Sequence, residues 1–238
     1  MTMRTARRAR AEAAAPPAQL AVVPAGERLR DPERTRADIL DVATREFAER
    51  GYSGARVDEI AARTRTSKRM IYYYFGSKEQ LYIAVLERAY AAIREAERRL
   101  RVEHLEPVAA IRRLAELTFD HHEAHPYFVR LVSIENIHRA EHIARSSMLA
   151  SLNTTVIDLI GRILEAGRTQ GVFHREVDAL DVHLLISAFC LFQVANRYTV
   201  RAIFGRDLAD PSLRAHYRQM VGDMVVGFLV GAPSAGAS

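Results

Sequence analysis

The sequence predicts an all-α protein in which a three-helix head is joined by a long helix to a larger helical domain, with about nine helices in total. Three observations carry this prediction. Apolar residues recur at i, i+3 and i+4 along most of the chain, capping residues precede these segments, and Pro or Gly separates them. No alternating strand pattern stands out. The 238 residues are 49% apolar and 26% charged, which is typical of a globular protein.

Residues 1–30 are predicted to form a disordered basic arm. Six arginines and two glutamates give this stretch a net charge of +4, which is most of the +5 of the whole chain. One interpretation is a solvated tail, or a start codon assigned too early. The other is an arm that adds nonspecific contacts to DNA phosphates.

The head is expected over residues 31–76. Asp31 caps its first helix, Pro32 suits the first helical position, and Gly51 ends it. This helix has a buried stripe of Ile39, Leu40, Ala43 and Phe47. A second helix has Val57, Ile60 and Ala61 on its buried face. After a break, Ser67 caps a third helix with an inner face of Met70, Ile71 and Tyr74.

From the end of the second helix through the third helix, the charged residues are all basic. No acidic residue lies between Glu59 and Glu79, whereas five basic residues do. A short basic helix with tyrosines and hydroxyls on its outer face suits the major groove of DNA. The predicted DNA contacts are Arg65, Ser67, Lys68, Arg69, Tyr72, Tyr73 and Lys78. The alternative is a solvated basic hairpin within an ordinary helical domain.

This region resembles the DNA-binding head of the TetR family of bacterial transcriptional regulators. The matching residues are Ile39, Leu40, Ala43, Phe47, Gly51, Tyr52, Ile60, Ala61, Ser67, Lys68, the run Tyr72–Phe75 and the run Ser77–Leu81. The chain departs from the family with Arg65 in place of the usual turn glycine, Thr64 in place of a small residue, and Arg56 in place of Ser or Thr.

The resemblance implies a sequence-specific DNA-binding regulator that acts as a homodimer on an inverted-repeat operator. Repression relieved by a small-molecule effector is the default mode that it implies, and activation is the alternative. By the motif match, Tyr72 and Lys78 contact phosphates, whereas Lys68, Arg69 and Tyr73 are better placed for base edges.

Residues 77–230 are expected to form the effector-binding and dimerisation domain. Ser77 caps a long helix that runs to about Arg101 and links the head to this domain. The following helices are expected at 107–125, 127–139, 146–169, 178–204 and 210–230. Residues 231–238 are expected to form a flexible tail.

The last two of these helices are apolar on nearly every side, so each needs a cover beyond its own domain. They are predicted to form a four-helix dimer interface. The predicted interface residues are Leu185, Phe189, Tyr217, Met220, Val221, Met224, Val225 and Phe228, and Gly222 and Gly227 are expected to allow close approach. The alternative is central helices of a monomeric bundle.

The family resemblance implies an effector pocket in this domain, and a mixed cluster of apolar and a few polar residues on neighbouring helices is its candidate lining. This cluster comprises Phe119, Phe128, Leu131, Glu135, Asn136, His138, Phe189, Phe192 and Asn196. Ordinary core packing is the alternative for each of these residues.

The sequence argues against catalysis, and no cofactor or metal is expected. His121 and His125, like His138 and His142, are four residues apart, but no further ligand set completes either site. The single Cys190 rules out an internal disulfide and fits a reducing cytoplasm. No export signal is expected, and no membrane span, since the best apolar run, 184–195, is too short. Two rival functions remain open: a dimeric DNA-binding protein without an effector, and a metal-dependent helical-bundle enzyme.

Overall fold

The computed structural model describes residues 32–231. The basic arm 1–30, the Asp31 cap and the tail beyond Gly231 lie outside the described residues. Within this part the chain is helical, with no strand. The helices are α1 Pro32–Gly54, α2 Val57–Thr64, α3 Lys68–Phe75, α4 Lys78–Arg99, α5 Pro107–Ala124, α6 Pro126–Ile137, α7 Ser147–Thr169, α8 Ala179–Ala195, α9 Arg197–Phe204 and α10 Pro211–Val230. Single 3₁₀ turns lie at Val102–His104 and Ile143–Arg145.

The serine caps predicted for α3 and α4 are present. The Ser67 Oγ accepts a hydrogen bond from the Met70 N–H at 3.2 Å, and the Ser77 Oγ accepts one from the Gln80 N–H at 3.1 Å. α1 continues to Gly54, but Gly51 interrupts its helical geometry with φ 69° and ψ 174°. Glycine adopts this conformation without the steric cost that a side chain would bring. The predicted end of the first helix is therefore a break inside α1.

The head shares its apolar core with the rest of the protein. Ile39, Phe47 and Ile71 are buried together with Leu81 and Val85 from the first half of α4. The same cluster includes Leu131 from α6 and Leu149 from α7. Because these contacts are continuous, α4 and α6 fix the head against the larger domain.

The larger domain is built around α5, α7, α8 and α10, whose apolar faces form a second core. Ion pairs also hold α5 to α10. The Arg112 guanidinium lies 2.7 Å from Asp223, and the Arg218 guanidinium lies 2.8 Å from Glu116. The cap of α10 at Asp210 accepts a hydrogen bond from the Ser212 N–H, as the sequence indicated.

Three expectations about helices need correction. The helix predicted at 178–204 breaks at Asn196, where α8 and α9 meet at 66°. The Thr199 hydroxyl there donates to the Asn196 carbonyl and supports the turn. Met70, expected to face inward, is 37% exposed on α3. The sequence pointed to 184–195 as the best apolar run, but α7 is the helix that is long and apolar enough to cross a membrane. The bent α8–α9 pair is also long and apolar enough if it is taken as one segment. In this structure α7 buries one face in the second core.

Candidate DNA-binding face and effector core

The outer face of α3 presents the side chains predicted to contact DNA. Ile71 and Phe75 anchor this helix in the head core, while Tyr73 is 78% exposed and Lys68 and Arg69 are also exposed. Side chains four residues apart lie on the same face of a helix, so the basic and aromatic side chains of α3 share one surface. The arrangement can contact both phosphates and base edges.

Lys68 is paired within the protein. Its Nζ lies 3.1 Å from a carboxylate oxygen of Asp58 on α2, and both side chains are about half exposed. Such an exposed pair contributes little to stability, so exchanging the carboxylate for a phosphate costs little free energy. The pair therefore holds Lys68 near the outer surface without burying it.

Lys78 lies at the junction of α1, α3 and α4. Its Nζ donates to the Ser53 carbonyl at 3.4 Å and lies 4.9 Å from the centre of the Tyr52 ring. Partial burial lowers the pKa of the Lys78 amine. Lys78 therefore lies at the edge of the face, as the first residue of α4.

The turn between α2 and α3 depends on Arg65. This residue adopts the left-handed conformation, with φ 52° and ψ 35°, and ends α2 by donating its backbone N–H to the Ala62 carbonyl. A residue with a side chain pays a steric cost there that glycine avoids. The turn nonetheless forms, and the Arg65 side chain is exposed at the rim of the face.

A buried carboxylate that the sequence did not single out organises the head. Glu46 on α1 is fully buried, and its Oε1 accepts the backbone N–H of Arg56, which precedes α2. Its other oxygen lies 3.6 Å from the Arg63 guanidinium, and Arg50 approaches to 3.3 Å. Glu46 thereby ties the start and end of α2 to α1. On sequence alone it is one more charge on a charged helix.

The structure does not bring the predicted effector-pocket residues into one cavity. Phe119 and Phe128 are buried in the larger domain, but Leu131 belongs to the head core. Asn136, His138 and Phe192 are exposed, while Phe189 and Asn196 are half-buried. His138 lines a surface cleft of about 250 Å³ with Tyr52 and Arg145.

A buried polar cluster lies instead on α4 and α5. Arg94 and Glu97 are both 4% exposed, and their side chains approach to 3.2 Å without the geometry of a hydrogen bond. Among the described residues, the Arg94 Nε and Nη1, the Glu97 Oε2 and the His121 Nε2 have no hydrogen-bond partner. Buried polar atoms are nearly always partnered, so this group is unusual.

Burial shifts the ionisation of the whole cluster. It raises the pKa of Glu97 to about 7, which the nearby Arg94 charge only partly opposes. It lowers the pKa of His121 to about 3 and that of His122 to about 4. Burial and the Arg94 charge lower the pKa of His183 on α8 to about 4. These imidazoles are therefore neutral at neutral pH.

Aromatic rings close one side of this cluster. The Phe128 ring lies 5.2 Å from Tyr90, 5.3 Å from His122 and 6.0 Å from His121. The His122 Nδ1 is 2.7 Å from the Thr118 carbonyl, so in the neutral ring Nδ1 carries the proton and Nε2 is an acceptor. The cluster thus offers one cation, neutral imidazoles and flat apolar surfaces.

The predicted dimer residues divide into two groups. Tyr217, Val221 and Val225 are buried in the core of their own chain, so they are not available to a partner helix. Gly222 also faces its own chain, because a Cβ there would meet Arg112. Leu185, Phe189, Met224 and Phe228 are half-buried, and Met220 is 38% exposed.

An apolar stripe on α8 is left exposed beside them. It comprises Leu184, Ala188, Phe192 and Ala195, and on α10 Gly227 has open space around its Cα. The interface on α8 and α10 remains a prediction, and these helices are too uniformly apolar for the sequence to show which face points outward.

A cleft with a volume of about 410 Å³ lies between the head and the larger domain. Glu49 lines it from α1, Arg130 and Ser133 from α6, and Arg197 and Tyr198 from α9. In the same described part, no group of three or more His, Cys, Asp or Glu residues could hold a metal ion.

Two protein-family models match the chain. The model for bacterial regulatory proteins of the tetR family matches residues 39–85, and the model for the tetracyclin repressor-like C-terminal domain matches residues 107–225. The first match covers the head, and the second covers α5 through most of α10.

Individual relatives agree with these matches. The chain is 35% identical over 201 residues to the HTH-type transcriptional repressor NicS of Pseudomonas putida, which covers 84% of this chain and 95% of NicS. It is 37% identical to the repressor SCO4008 of Streptomyces coelicolor over 49% of this chain and 62% of that protein. A solved tetR-family regulatory protein from Rhodococcus RHA1 has the same fold, with a TM-score of 0.65 at 21% identity, over 84% of this chain and 99% of that one.

Proposed function

This chain belongs to the TetR family of bacterial regulatory proteins, and from that premise we propose that it binds an operator as a homodimer and represses transcription until an effector releases it. It is a DNA-binding transcriptional regulator, and members of this family are generally not enzymes. The observation that carries the proposal is the exposed basic and aromatic face of α3.

DNA contact by this face follows from its chemistry. Arg69 and Tyr73 project from a helix whose other side is fixed in the head core, so their positions are set before DNA binds. Lys68 at the start of α3 and Lys78 at the start of α4 supply charge for phosphates. One α3 helix covers few base pairs, so two heads and an inverted repeat are the natural unit.

The second head comes from a partner chain docked on α8 and α10. The exposed stripe of Leu184, Ala188 and Phe192 would cover Met220 and Phe228 of the partner chain and the space at its Gly227. This revises the predicted interface by leaving out Tyr217, Val221 and Val225. A partner on this face removes apolar surface from water that the single chain leaves exposed.

The effector binds in the larger domain, at the polar cluster formed by side chains of α4, α5 and α8. Arg94 lies on α4, the helix whose first turns form part of the head core. A ligand that shifts α4 would therefore move the heads relative to each other. The change in operator affinity is bounded by the ligand's preference for one of the two arrangements.

DNA binding by titration of labelled duplexes, followed by fluorescence anisotropy, tests the face. Arg69→Ala should weaken binding to an operator by about 1–3 kcal/mol if its guanidinium reads a base. Arg98→Ala is the matched control, because it removes the same charge from an exposed side chain on α4. Equal effects from both variants would mean that net charge, and not the α3 face, governs binding.

A further inference from the structure

We infer that Arg94 is an anion-binding group in the core of the larger domain, and that the effector is a small carboxylate that displaces Glu97 from the Arg94 guanidinium. This inference rests on the proposed effector response. It goes beyond that response by naming the ligand class and the protein group that the ligand replaces.

The arrangement around Arg94 is energetically costly. Arg94 has two nitrogens without hydrogen-bond partners although its side chain is almost fully buried. A buried charged group without hydrogen bonds is strongly unfavourable, and the contact with Glu97 supplies charge compensation without bond geometry. Such a guanidinium is suited to a ligand that completes its hydrogen bonds.

The geometry of the Arg94 guanidinium indicates the shape of the partner that it lacks. A guanidinium presents paired N–H donors in a plane that match the two oxygens of a carboxylate. Glu97 sits three residues away on the same helix, and this spacing holds its carboxylate at 3.2 Å in poor alignment. A ligand carboxylate that is free to rotate can align both oxygens with the Arg94 donors.

The histidines and aromatic rings around Arg94 suit the rest of such a ligand. His121, His122 and His183 are neutral, so they neither repel nor bind an anion strongly by charge, and the unpartnered His121 Nε2 can hydrogen-bond a polar group of the ligand. The rings of Tyr90 and Phe128 offer apolar surface to the rest of the molecule. The site therefore favours a compact ligand with one carboxylate and a flat apolar body.

Displacement of Glu97 couples ligand binding to a proton. Burial raises the pKa of Glu97 to about 7, and losing Arg94 would raise it further, so Glu97 takes up a proton when the ligand binds. Ligand affinity should then fall as the pH rises above about 7. The other titratable or charged groups around the pair are Tyr90 on α4, His121, His122 and His125 at the end of α5, Glu135 on α6 and His183 on α8.

The test is a comparison of acids with their own amides on the full-length protein. Sodium benzoate and sodium butyrate are paired with benzamide and butyramide, and binding is measured by calorimetry and by the shift in Tm between pH 6 and pH 8. We expect the carboxylates to bind and the amides not to bind. We also expect benzoate affinity to fall about tenfold for each unit that the pH rises above the Glu97 pKa, because one proton is taken up.

Two variants make the comparison specific. Glu97→Gln keeps Arg94 and removes the competing charge, so it should bind benzoate more tightly and without the pH dependence. Arg94→Gln alone would leave a buried carboxylate unpaired, so the neutral double variant Arg94→Gln/Glu97→Gln is the safer test of charge. It should fold and lose the benzoate response. Equal binding of benzoate and benzamide, or unchanged benzoate binding by the double variant, would overturn the inference.

Operator binding measured in the same samples separates this inference from the proposed function. If benzoate binds through Arg94 but leaves operator affinity unchanged, the anion site stands and the proposed effector response fails. If only uncharged compounds release the operator, and the double variant still responds to them, the response stands and the anion site fails.

Discussion

The carboxylate of Glu135 on α6 holds the loop that contains His142. One Glu135 oxygen lies 3.0 Å from the His142 Nδ1, and the other accepts the backbone N–H groups of His142 and Ile143 at 3.1 Å. The His142 ring in turn packs on Tyr52 at 4.4 Å and on Tyr82 at 4.8 Å. Through these contacts the larger domain holds the end of α1 and the start of α4.

Replacing Glu135 tests whether this link supports the head or binds the effector. Glu135→Gln keeps the shape but loses the charge that accepts three hydrogen bonds, so we expect the free energy of unfolding to fall by about 1–3 kcal/mol. Binding of the effector itself should be unchanged, because the carboxylate is fully engaged within the protein. Denaturant unfolding and calorimetry measure the two quantities. A loss of effector binding with stability intact would return Glu135 to the pocket in which the sequence placed it.

Replacing Arg65 separates the cost of the turn from the loss of charge. Arg65→Gly and Arg65→Ala remove the same side-chain charge, but only glycine relieves the left-handed conformation at φ 52°. Arg65→Gly should therefore be more stable than Arg65→Ala by about 1 kcal/mol. Chemical unfolding of both variants gives the difference. Equal stabilities would mean that the turn relaxes to another conformation in the alanine variant.

Phosphate contacts and base contacts should respond differently to salt and to sequence. Lys78→Ala should weaken binding to all duplexes about equally and reduce the slope of log K against log salt by roughly one counterion. Arg69→Ala should instead reduce the preference for the operator over other sequences. Titrations at several salt concentrations, on operator and on scrambled duplexes, distinguish these effects. If both variants act alike on all duplexes, the assignment of Arg69 to base edges is wrong.

A charge placed on the exposed α8 stripe should prevent dimerisation. Phe192→Glu would bury a carboxylate against the partner's apolar surface, so we expect a folded monomer by light scattering and operator binding weakened at least about tenfold, since paired heads are lost. Met148→Glu on α7 is the control, because it places the same charge at a side chain of similar exposure, 48% for Met148 against 53% for Phe192, away from the α8 stripe. A dimeric Phe192→Glu protein would place the interface elsewhere.

Acid should destabilise the larger domain through its buried histidines. The pKa of His122 falls from 6.5 to about 4 on burial, so between these values the unfolded chain binds a proton that the folded chain does not. The free energy of unfolding should therefore fall as the pH falls from 6.5 to 4, and His121 and His183 act in the same direction. Glu97 acts in the opposite direction, because its raised pKa lets the folded state bind a proton there.

The variant that tests this pH dependence is His122→Asn, which keeps a donor near the Thr118 carbonyl but does not titrate. Its stability between pH 6.5 and pH 4 should depend less steeply on pH than that of the parent, by about 1.4 kcal/mol for each pH unit at most. Denaturant unfolding at a series of pH values measures both slopes. Identical slopes would show that His122 is accessible to protons in the folded state.

The head could be predicted closely from sequence because its signals are local. Ser67 and Ser77 cap helices as their positions indicate, and the basic outer face of α3 follows from helical spacing. The Asn196 break was missed because an asparagine without Pro or Gly is a weak signal against a strongly apolar run. Met70 was assigned inward because an apolar residue one position from Ile71 fits either face.

The candidate effector site could not be predicted in the same way. Arg94 and Glu97 are three apart on a helix rich in charge, a pattern that normally indicates a solvated pair. Their burial depends on α5 and α8 packing over them, which no local pattern records. The same holds for Glu46, whose role depends on Arg56 and Arg63 folding back onto α1.

The most direct test of the account is selection of bound duplexes from a random DNA pool by the purified full-length protein at near-physiological salt. We expect enrichment of an inverted repeat with half-sites about one helical turn apart or a related spacing, because two α3 faces read it together. Arg69→Ala should lose that enrichment. Salt-sensitive binding that enriches no sequence would contradict the account, because it would leave a basic helical protein that does not read an operator.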